Sequence, residues 1–273
     1  MLATAQKKRI KTALLVGVTA IAVAGCSTSP TGRNQLKLFP SAEIDKMGVQ
    51  SFTQMKDDTP ISTDKMAKRY VSCVADKVIA QVPAKYGIDK WEVVVFDSDQ
   101  VNAFALPGGK VGVYTGLLKV AKNQHQLATV IGHELAHVLA EHGNERVSTA
   151  FATQTALAAA YQLSGDLEHK QQIFGLLGIG AQYGVVMPFG RIQESEADIL
   201  GLDLMAKAGF DPQESVSLWQ NMAKASGGKA PPEFMSTHPS NQRRIKDLQK
   251  RFPKVMPMYQ QAQTEGRKPN CQA

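Results

Sequence analysis

The chain has 273 residues, of which 43% are hydrophobic and 20% are charged. This ordinary globular composition excludes collagen-like, low-complexity and wholly disordered chains. The formal net charge is +7, but four of the positive charges fall in the first 25 residues, so the rest of the chain carries only +3. Because the remaining lysines and arginines are spread out, the chain lacks the clustered positive charge that a nucleic-acid face requires, and we expect no nucleic-acid partner.

The N-terminus has the pattern of an export signal. Four of residues 7–11 are basic, an apolar run occupies residues 13–25, and Cys26 follows. A basic start, a short apolar segment and small residues before a cleavage point predict a secretory signal peptide over residues 1–25. The apolar run is too short to span a bilayer, which takes roughly 20 residues.

The residues around Cys26 resemble a bacterial lipobox, because Val-Ala-Gly precedes the cysteine. This resemblance implies that Cys26 becomes the lipidated first residue of the mature chain, with residues 26–40 as a tether; an ordinary signal peptide followed by a chance cysteine is the alternative. Ser27 comes next, which by resemblance to lipoprotein sorting signals favours the outer membrane. We therefore expect a periplasmic protein that is anchored to the outer membrane through several acyl chains.

Three cysteines are too few for a disulfide scaffold. Export places the chain in an oxidising compartment, and with Cys26 acylated only Cys73 and Cys271 can pair. The alternative is that Cys73 is a small buried apolar residue, since it shares a helical face with other apolar side chains.

Periodicity and breakers predict a mainly helical α+β domain over residues 41–259, with one small sheet and a polar tail over 260–273. The expected strands cover residues 91–96, 101–105 and 110–115, with a Pro-Gly-Gly turn at 107–109. The expected helices cover residues 41–58, 62–82, 124–142, 146–162, 168–180, 191–208, 212–225 and 238–251.

One segment, residues 172–189, is apolar and rich in glycine. A membrane hairpin is one interpretation of it. A buried helix or a hydrophobic loop beside a binding site is the interpretation we favour.

The string that carries chemistry is His133-Glu134-Leu135-Ala136-His137, which matches H-E-x-x-H. Residues four apart on a helix lie one above the other, so both imidazoles point the same way and can bind one zinc ion. Glu134 lies about 100° around the helix from His133, which keeps it off the metal but within reach of the attacking water. The surrounding residues are largely apolar, which predicts that this helix is buried.

A catalytic zinc needs three protein ligands and one open position. The extended motif H-E-x-x-H-x-x-G-x-x-H is excluded, because Ala140 stands where it requires Gly and Gly143 where it requires His. His142 lies about 140° around a continuous helix from His137, so we expect it to be a surface residue.

A later helix offers the third ligand in Glu194-Ser195-Glu196-Ala197-Asp198. Glu194 and Asp198 are four residues apart and share a face, whereas Glu196 points away from it. One of the two carboxylates can therefore bind zinc while the other accepts a hydrogen bond from a ligand imidazole, a partner that metal-bound histidines usually have.

These motifs together resemble the HtpX and CAAX-prenyl-protease family of zinc endopeptidases. The resemblance also includes residues 236–240 (Ser-Thr-His-Pro-Ser) and the strand and turn at 101–109, and it covers roughly residues 60–250. It is nearest to the periplasmic lipoprotein branch, which resembles the mitochondrial OMA-type proteases. The fold that it implies is a gluzincin-type zinc metallopeptidase domain with one zinc ion per chain.

The resemblance also implies roles for individual residues. His133, His137 and Glu194 would be the zinc ligands, Glu134 the general base, and Asp198 a partner of a ligand.

His238 lies before a proline, and from the sequence alone it is a loop residue. The resemblance instead places it near the zinc, either stabilising the transition state or capping the metal in a resting form. Arg244 would assist in binding the oxyanion or the substrate.

The function that this implies is hydrolysis of peptide bonds in misfolded or unassembled envelope proteins, with outer-membrane proteins among the substrates. One alternative is a lipid-anchored chaperone or assembly factor with a mostly silent zinc site. Another is a zinc hydrolase that acts on peptidoglycan peptides.

Overall fold

The computed structural model describes residues 26–164, 190–225, 233–238 and 242–272. The predicted signal peptide, the predicted helix 168–180 and the apolar segment 172–189 lie outside these residues. The helices and strands are, in chain order, β1 (Cys26–Thr28), β2 (Asn34–Leu36), α1 (Ser41–Asp58), α2 (Lys65–Ile79), β3 (Glu92–Phe96), β4 (Ala103–Leu106), β5 (Lys110–Tyr114), α3 (Thr115–Leu118), α4 (Gln124–Leu139), α5 (His142–Ser164), α6 (Arg191–Lys207), α7 (Glu214–Ala225), α8 (Glu233–Thr237) and α9 (Gln242–Thr264).

The described residues fall into two compact units, and the smaller one contains residues 26–40 and 144–164. In this unit β1 and β2 pair antiparallel, with Cys26 opposite Leu36. The guanidinium of Arg33 donates two hydrogen bonds of 2.6 Å to the carboxylate of Glu145, which holds the hairpin to α5.

The larger unit contains residues 41–143 and the described residues from 190 onward. Its sheet has the order β3-β5-β4, with β3 parallel and β4 antiparallel to β5. Helix α4 packs against α2, α6, α7 and β4. The predicted class, a mainly helical α+β fold, is confirmed. Among the described residues, no helix combines the length and the apolar character needed to cross a membrane.

The burial predicted for α4 is confirmed. Asn123 caps the start of the helix, because its side-chain oxygen accepts hydrogen bonds from the backbone amides of His125 and Gln126. Every residue from Gln126 to Leu139 is buried. A helix that is apolar nearly all round is stable only inside a core, and here it is the centre of one.

Two glycines set the distance between α4 and α6. A Cβ atom on Gly201 would lie 2.7 Å from the backbone nitrogen of His133, and one on Gly132 would lie 2.8 Å from the carbonyl oxygen of Gly201. The two backbones are therefore in direct contact, and this contact brings the H-E-x-x-H turn against the acidic turns of α6.

Helix α9 continues beyond its predicted end at residue 251. Proline lacks an amide hydrogen and clashes with the preceding turn, so Pro253 and Pro257 are unfavourable inside a helix. The structure carries the helix through Pro253 and Pro257 to Thr264. Its buried apolar residues Leu248, Val255 and Ala262 recur every seven positions, which makes one apolar stripe along the helix. The helix packs on α6 and α7, and burial of the stripe outweighs the two prolines.

Cys73 and Cys271 form a disulfide with their Cα atoms 5.7 Å apart. The same part of the chain is also held to the start of α4, because the backbone amide of Cys271 donates to the side chain of Gln124, which in turn donates to the carbonyl of Pro269.

We expect that replacing Cys271 with serine lowers the free energy of unfolding by about 2–5 kcal/mol, since the bond closes a loop of 198 residues and so restricts the unfolded chain. Urea unfolding of the oxidised wild type and of the variant measures this difference. The free energy of unfolding of the variant should not change with dithiothreitol. That of the wild type should fall by the same amount, about 2–5 kcal/mol, when its disulfide is reduced, since this much is lost with a disulfide. Equal unfolding midpoints for oxidised and reduced wild type would contradict the prediction.

Candidate metal centre

Helix α4 presents two imidazoles from consecutive turns. The Nε2 atoms of His133 and His137 lie 3.1 Å apart and face each other. Both side chains are buried. Two ring nitrogens at this distance without a proton between them repel each other unless a cation lies between them.

Helix α6 brings Glu194 to the same point. Its Oε2 atom lies 3.4 Å from Nε2 of His133, and its Oε1 atom lies 3.4 Å from Nε2 of His137. His238, at the end of α8, adds its Nδ1 atom 3.2 Å from Nε2 of His133 and 3.0 Å from Oε1 of Glu194. The ligand atoms of these four residues all lie within 4.8 Å of one another.

This donor set fits a zinc ion. Four donors arranged as a tetrahedron around zinc at bond lengths of about 2.0–2.2 Å are separated from each other by roughly 3.3–3.6 Å. Nε2 of His133 lies 3.1, 3.4 and 3.2 Å from the facing atoms of His137, Glu194 and His238, which is close to this range. Imidazole nitrogens with one carboxylate are one of the ligand sets of catalytic zinc sites. The cluster can therefore bind a metal ion, and its chemistry is consistent with zinc.

The charges around the cluster also favour a cation. Burial lowers the pKa of His133, but the carboxylates of Asp198 and Glu194 outweigh it and raise that pKa to about 9. Burial holds the pKa of His137 well below its usual value, so this imidazole is neutral. Burial raises the pKa of Glu194, but the three surrounding histidines lower it by more, so the carboxylate is ionised.

Asp198 and Arg244 support the cluster from behind. Oδ1 of Asp198 lies 3.1 Å from Nδ1 of His133, on the ring edge away from the other ligands. Arg244 donates two hydrogen bonds to Asp198 and lies 2.6 Å from Oε2 of Glu194. Its guanidinium also stacks on Trp219 at 4.3 Å. Arg244 therefore contacts two carboxylates of the site and holds them in position. The resemblance implied a different role, namely binding of the oxyanion or the substrate.

Glu134 lies beside the ligand atoms and outside their set. Its Oε1 atom is 3.3 Å from Nε2 of His238. Burial raises the pKa of this carboxyl group, and the neighbouring imidazoles of His238 and His133 and the backbone amide of Ala105 offset the rise only in part. A carboxylate with a raised pKa next to a metal site has the character of a general base.

The expectation that His142 is a surface residue is wrong. His142 is fully buried, and its Nδ1 atom lies 2.9 Å from Nδ1 of His137. The physical reason is that α4 ends at Leu139 and the chain passes through Glu141 with a φ of 51°, so the angle counted along a continuous helix does not apply.

Glu196 was also placed incorrectly, because we expected it to point away from the site. It is buried, and its Oε2 atom lies 3.1 Å from Nε2 of His142. Glu194 and Glu196 therefore reach the site from two sides, one directly and one through His142. The sequence offered one signal for His142, the helix end near Gly143. We predicted that the helix ends at residue 142, whereas it ends three residues earlier, at Leu139, and His142 therefore turns inward.

Comparison with known proteins gives a consistent result. The pattern of peptidase family M48 matches residues 65–252. Mitochondrial metalloendopeptidase OMA1 of Schizosaccharomyces pombe is 38% identical over 201 residues, covering 70% of this chain and 57% of the relative. OMA1 of Saccharomyces cerevisiae is 38% identical over 180 residues, covering 63% and 50% of the two chains.

A bacterial relative is named beta-barrel assembly-enhancing protease. The protein of Escherichia coli strain K12 is 25% identical over 224 residues, covering 80% of this chain and 45% of its own length. The chain thus spans about half the length of these curated relatives. The family resemblance predicted from the motifs is confirmed by these matches.

Proposed function

Because this chain belongs to peptidase family M48, we propose that it is a zinc metalloendopeptidase whose site is the cluster around His133. The observation that carries the proposal is the juxtaposition of four metal-binding side chains with a buried carboxylate, that of Glu134, at their edge. A structural zinc site would need the ligands but not that carboxylate.

His133, His137 and Glu194 would hold the ion. When bound, zinc supplies Lewis acidity, because it lowers the pKa of a water ligand toward about 7 and polarises a carbonyl group. Glu134 takes the proton of the attacking water and passes it to the leaving amine, so that it serves first as general base and then as general acid.

The edge strand β4 is suited to hold the substrate. Among the described strands β4 pairs with β5 alone, and its other edge carries the backbone amide of Ala105 toward Glu134. An extended peptide that pairs with this edge would cross the ligand cluster through backbone hydrogen bonds. Recognition of backbone more than of side chains suits a protease of unfolded chains.

His238 occupies the position of a fourth donor, with Nδ1 among the ligand atoms and Nε2 toward Glu134. Of its two proposed roles, this arrangement favours capping of the metal in a resting form, because a water can take the fourth position only when the imidazole leaves it.

If His238 caps the metal, we expect His238→Ala to raise the rate of proteolysis severalfold at unchanged zinc content. Initial rates on fluorescently labelled casein, with zinc measured by elemental analysis, give the result. His125→Ala is the control, since that histidine lies at the start of α4 and contacts Phe210. A large fall in rate for His238→Ala would instead support stabilisation of the transition state.

The proposed setting is the periplasmic face of the outer membrane, with the chain anchored through lipidated Cys26. The basic start, the apolar run and the residues before Cys26 support it. The proposed substrates are misfolded or unassembled envelope proteins, and the names of the bacterial relatives support beta-barrel proteins among them.

A chaperone or assembly factor with a silent zinc site is the alternative, and the intact Glu134 beside the ligands argues against it. A peptidoglycan hydrolase is less favoured, because the matched relatives are named metalloendopeptidases and a beta-barrel assembly-enhancing protease.

Degradation assays test the proposed function. We expect the purified zinc-loaded protein to cleave unfolded casein and to leave muropeptides intact. 1,10-Phenanthroline should stop cleavage, and added zinc should restore it, because the Lewis acid is required. Cleavage that persists in the chelator would contradict the proposal. Suppression of casein aggregation without cleavage would support the chaperone.

A further inference from the structure

A buried pair, His142 and Glu196, lies behind the metal-ligand cluster on the side of His137. The Nδ1 atoms of His137 and His142 are 2.9 Å apart, and the Nε2 atom of His142 is 3.1 Å from Oε2 of Glu196. The side chains of His142 and Glu196 are 0% and 2% exposed. No apolar core needs such a pair, and burying polar groups is tolerated only when each makes its hydrogen bonds.

The carboxylate end of this chain of contacts fixes the proton on His142. Nε2 of His142 faces the Glu196 carboxylate, and a carboxylate accepts hydrogen bonds, so we assign Nε2 of His142 as the donor. In a neutral imidazole the other ring nitrogen then lacks a proton and accepts. Nδ1 of His142 is therefore an acceptor, and the group that faces it at 2.9 Å is Nδ1 of His137.

The metal end gives the same assignment independently. Nε2 of His137 faces the other ligand atoms, so it must offer its lone pair to bind a metal. A neutral imidazole that binds a metal through Nε2 carries its proton on Nδ1. Nδ1 of His137 is therefore a donor, as the carboxylate end of the chain requires.

We propose that Glu196 and His142 form a relay that holds His137 in its metal-binding tautomer and orientation. His133 needs no intermediate residue, because Asp198 contacts its Nδ1 atom directly. The two metal-binding histidines would thus have separate supports, one carboxylate for each. His142 and Glu196 are positioning residues, because they act through His137. The inference rests on the proposed role of His137 as a zinc ligand.

The tautomers test the relay on the unaltered protein. In the zinc-loaded wild type, ¹⁵N NMR of the histidine rings should show the proton of His137 on Nδ1 and the proton of His142 on Nε2. The His137 Nδ1 proton should exchange slowly with water because it is buried. A His142 that carries its proton on Nδ1 would overturn the proposal.

Two substitutions at the same position separate hydrogen bonding from packing. His142→Leu removes the acceptor, and we expect it to weaken zinc binding by about 10–100-fold, the usual effect of losing such a partner. His142→Asn keeps an acceptor oxygen where Nδ1 was, and it should restore most of the affinity. Competition with a chromophoric chelator measures zinc affinity, and His125→Leu should leave it unchanged.

Three outcomes of the zinc-affinity measurements would contradict the relay or the proposed function. Wild-type zinc affinity in His142→Leu would overturn the relay, and so would a His142→Asn protein that binds zinc as weakly as His142→Leu. Circular dichroism of the metal-free variants verifies that each is folded. A wild-type protein that binds no zinc would overturn the proposed function itself.

Discussion

Replacing Glu134 with glutamine is expected to reduce kcat/KM for an unfolded protein substrate by about 10²–10⁴-fold while zinc remains bound. The amide has nearly the same shape as the carboxylate but accepts no proton from the attacking water. Glu134 lies outside the four ligand atoms, so the metal content of the variant should equal that of the wild type. Initial rates on labelled casein and elemental analysis of the same preparation measure both quantities.

Glu214→Gln is a matched control for this substitution. Glu214 is a partly buried carboxylate that contacts Asn123 and Gln126 at the opposite end of α4. Its variant should cleave at the wild-type rate. If Glu134→Gln cleaves casein as fast as the wild type, the role of general base belongs to another group.

Replacing Glu194 with alanine is expected to weaken zinc binding strongly and to abolish proteolysis. Loss of a residue that only supports a ligand weakens binding by about 10–100-fold, and we expect a larger effect for a ligand itself. Glu194 is the one carboxylate among the four donor side chains, and its two oxygens each approach a different imidazole of α4. Its loss also removes the negative charge that favours a cation there. Elemental analysis after dialysis against a weak chelator gives the zinc content.

Asp203→Ala is the control on the same helix, because Asp203 pairs with Arg251 away from the metal site. It should retain its zinc. Full zinc occupancy in Glu194→Ala would show that the third ligand lies elsewhere in the chain.

Helical spacing explains how much of the site the sequence predicts. His133 and His137 lie on one face of α4, and Glu194 and Asp198 lie on one face of α6, so each pair follows from the period of the helix. The structure brings His133, His137 and Glu194 together and places Asp198 on His133. Helical spacing does not predict that α4 packs against α6, because this is a tertiary contact.

The error at His142 comes from where a helix ends. His142 was counted on a continuous helix, but a left-handed residue at Glu141 turns it into the core, where it meets Glu196. Helix α9 runs beyond its predicted end at residue 251, because burial of its apolar stripe outweighs Pro253 and Pro257. Local propensity predicts helix ends less well than helix faces, because packing energy can override it.

The contact between Gly132 and Gly201 limits how this protein can be stabilised. Exchanging a glycine within a helix for alanine usually gains about 0.5–1 kcal/mol, because it restricts the unfolded chain. Here the added methyl group would meet backbone atoms that have no side-chain freedom to move aside. Alanine at either position should therefore lower the stability that it usually raises. A library of variants selected for thermal stability should keep both glycines unchanged.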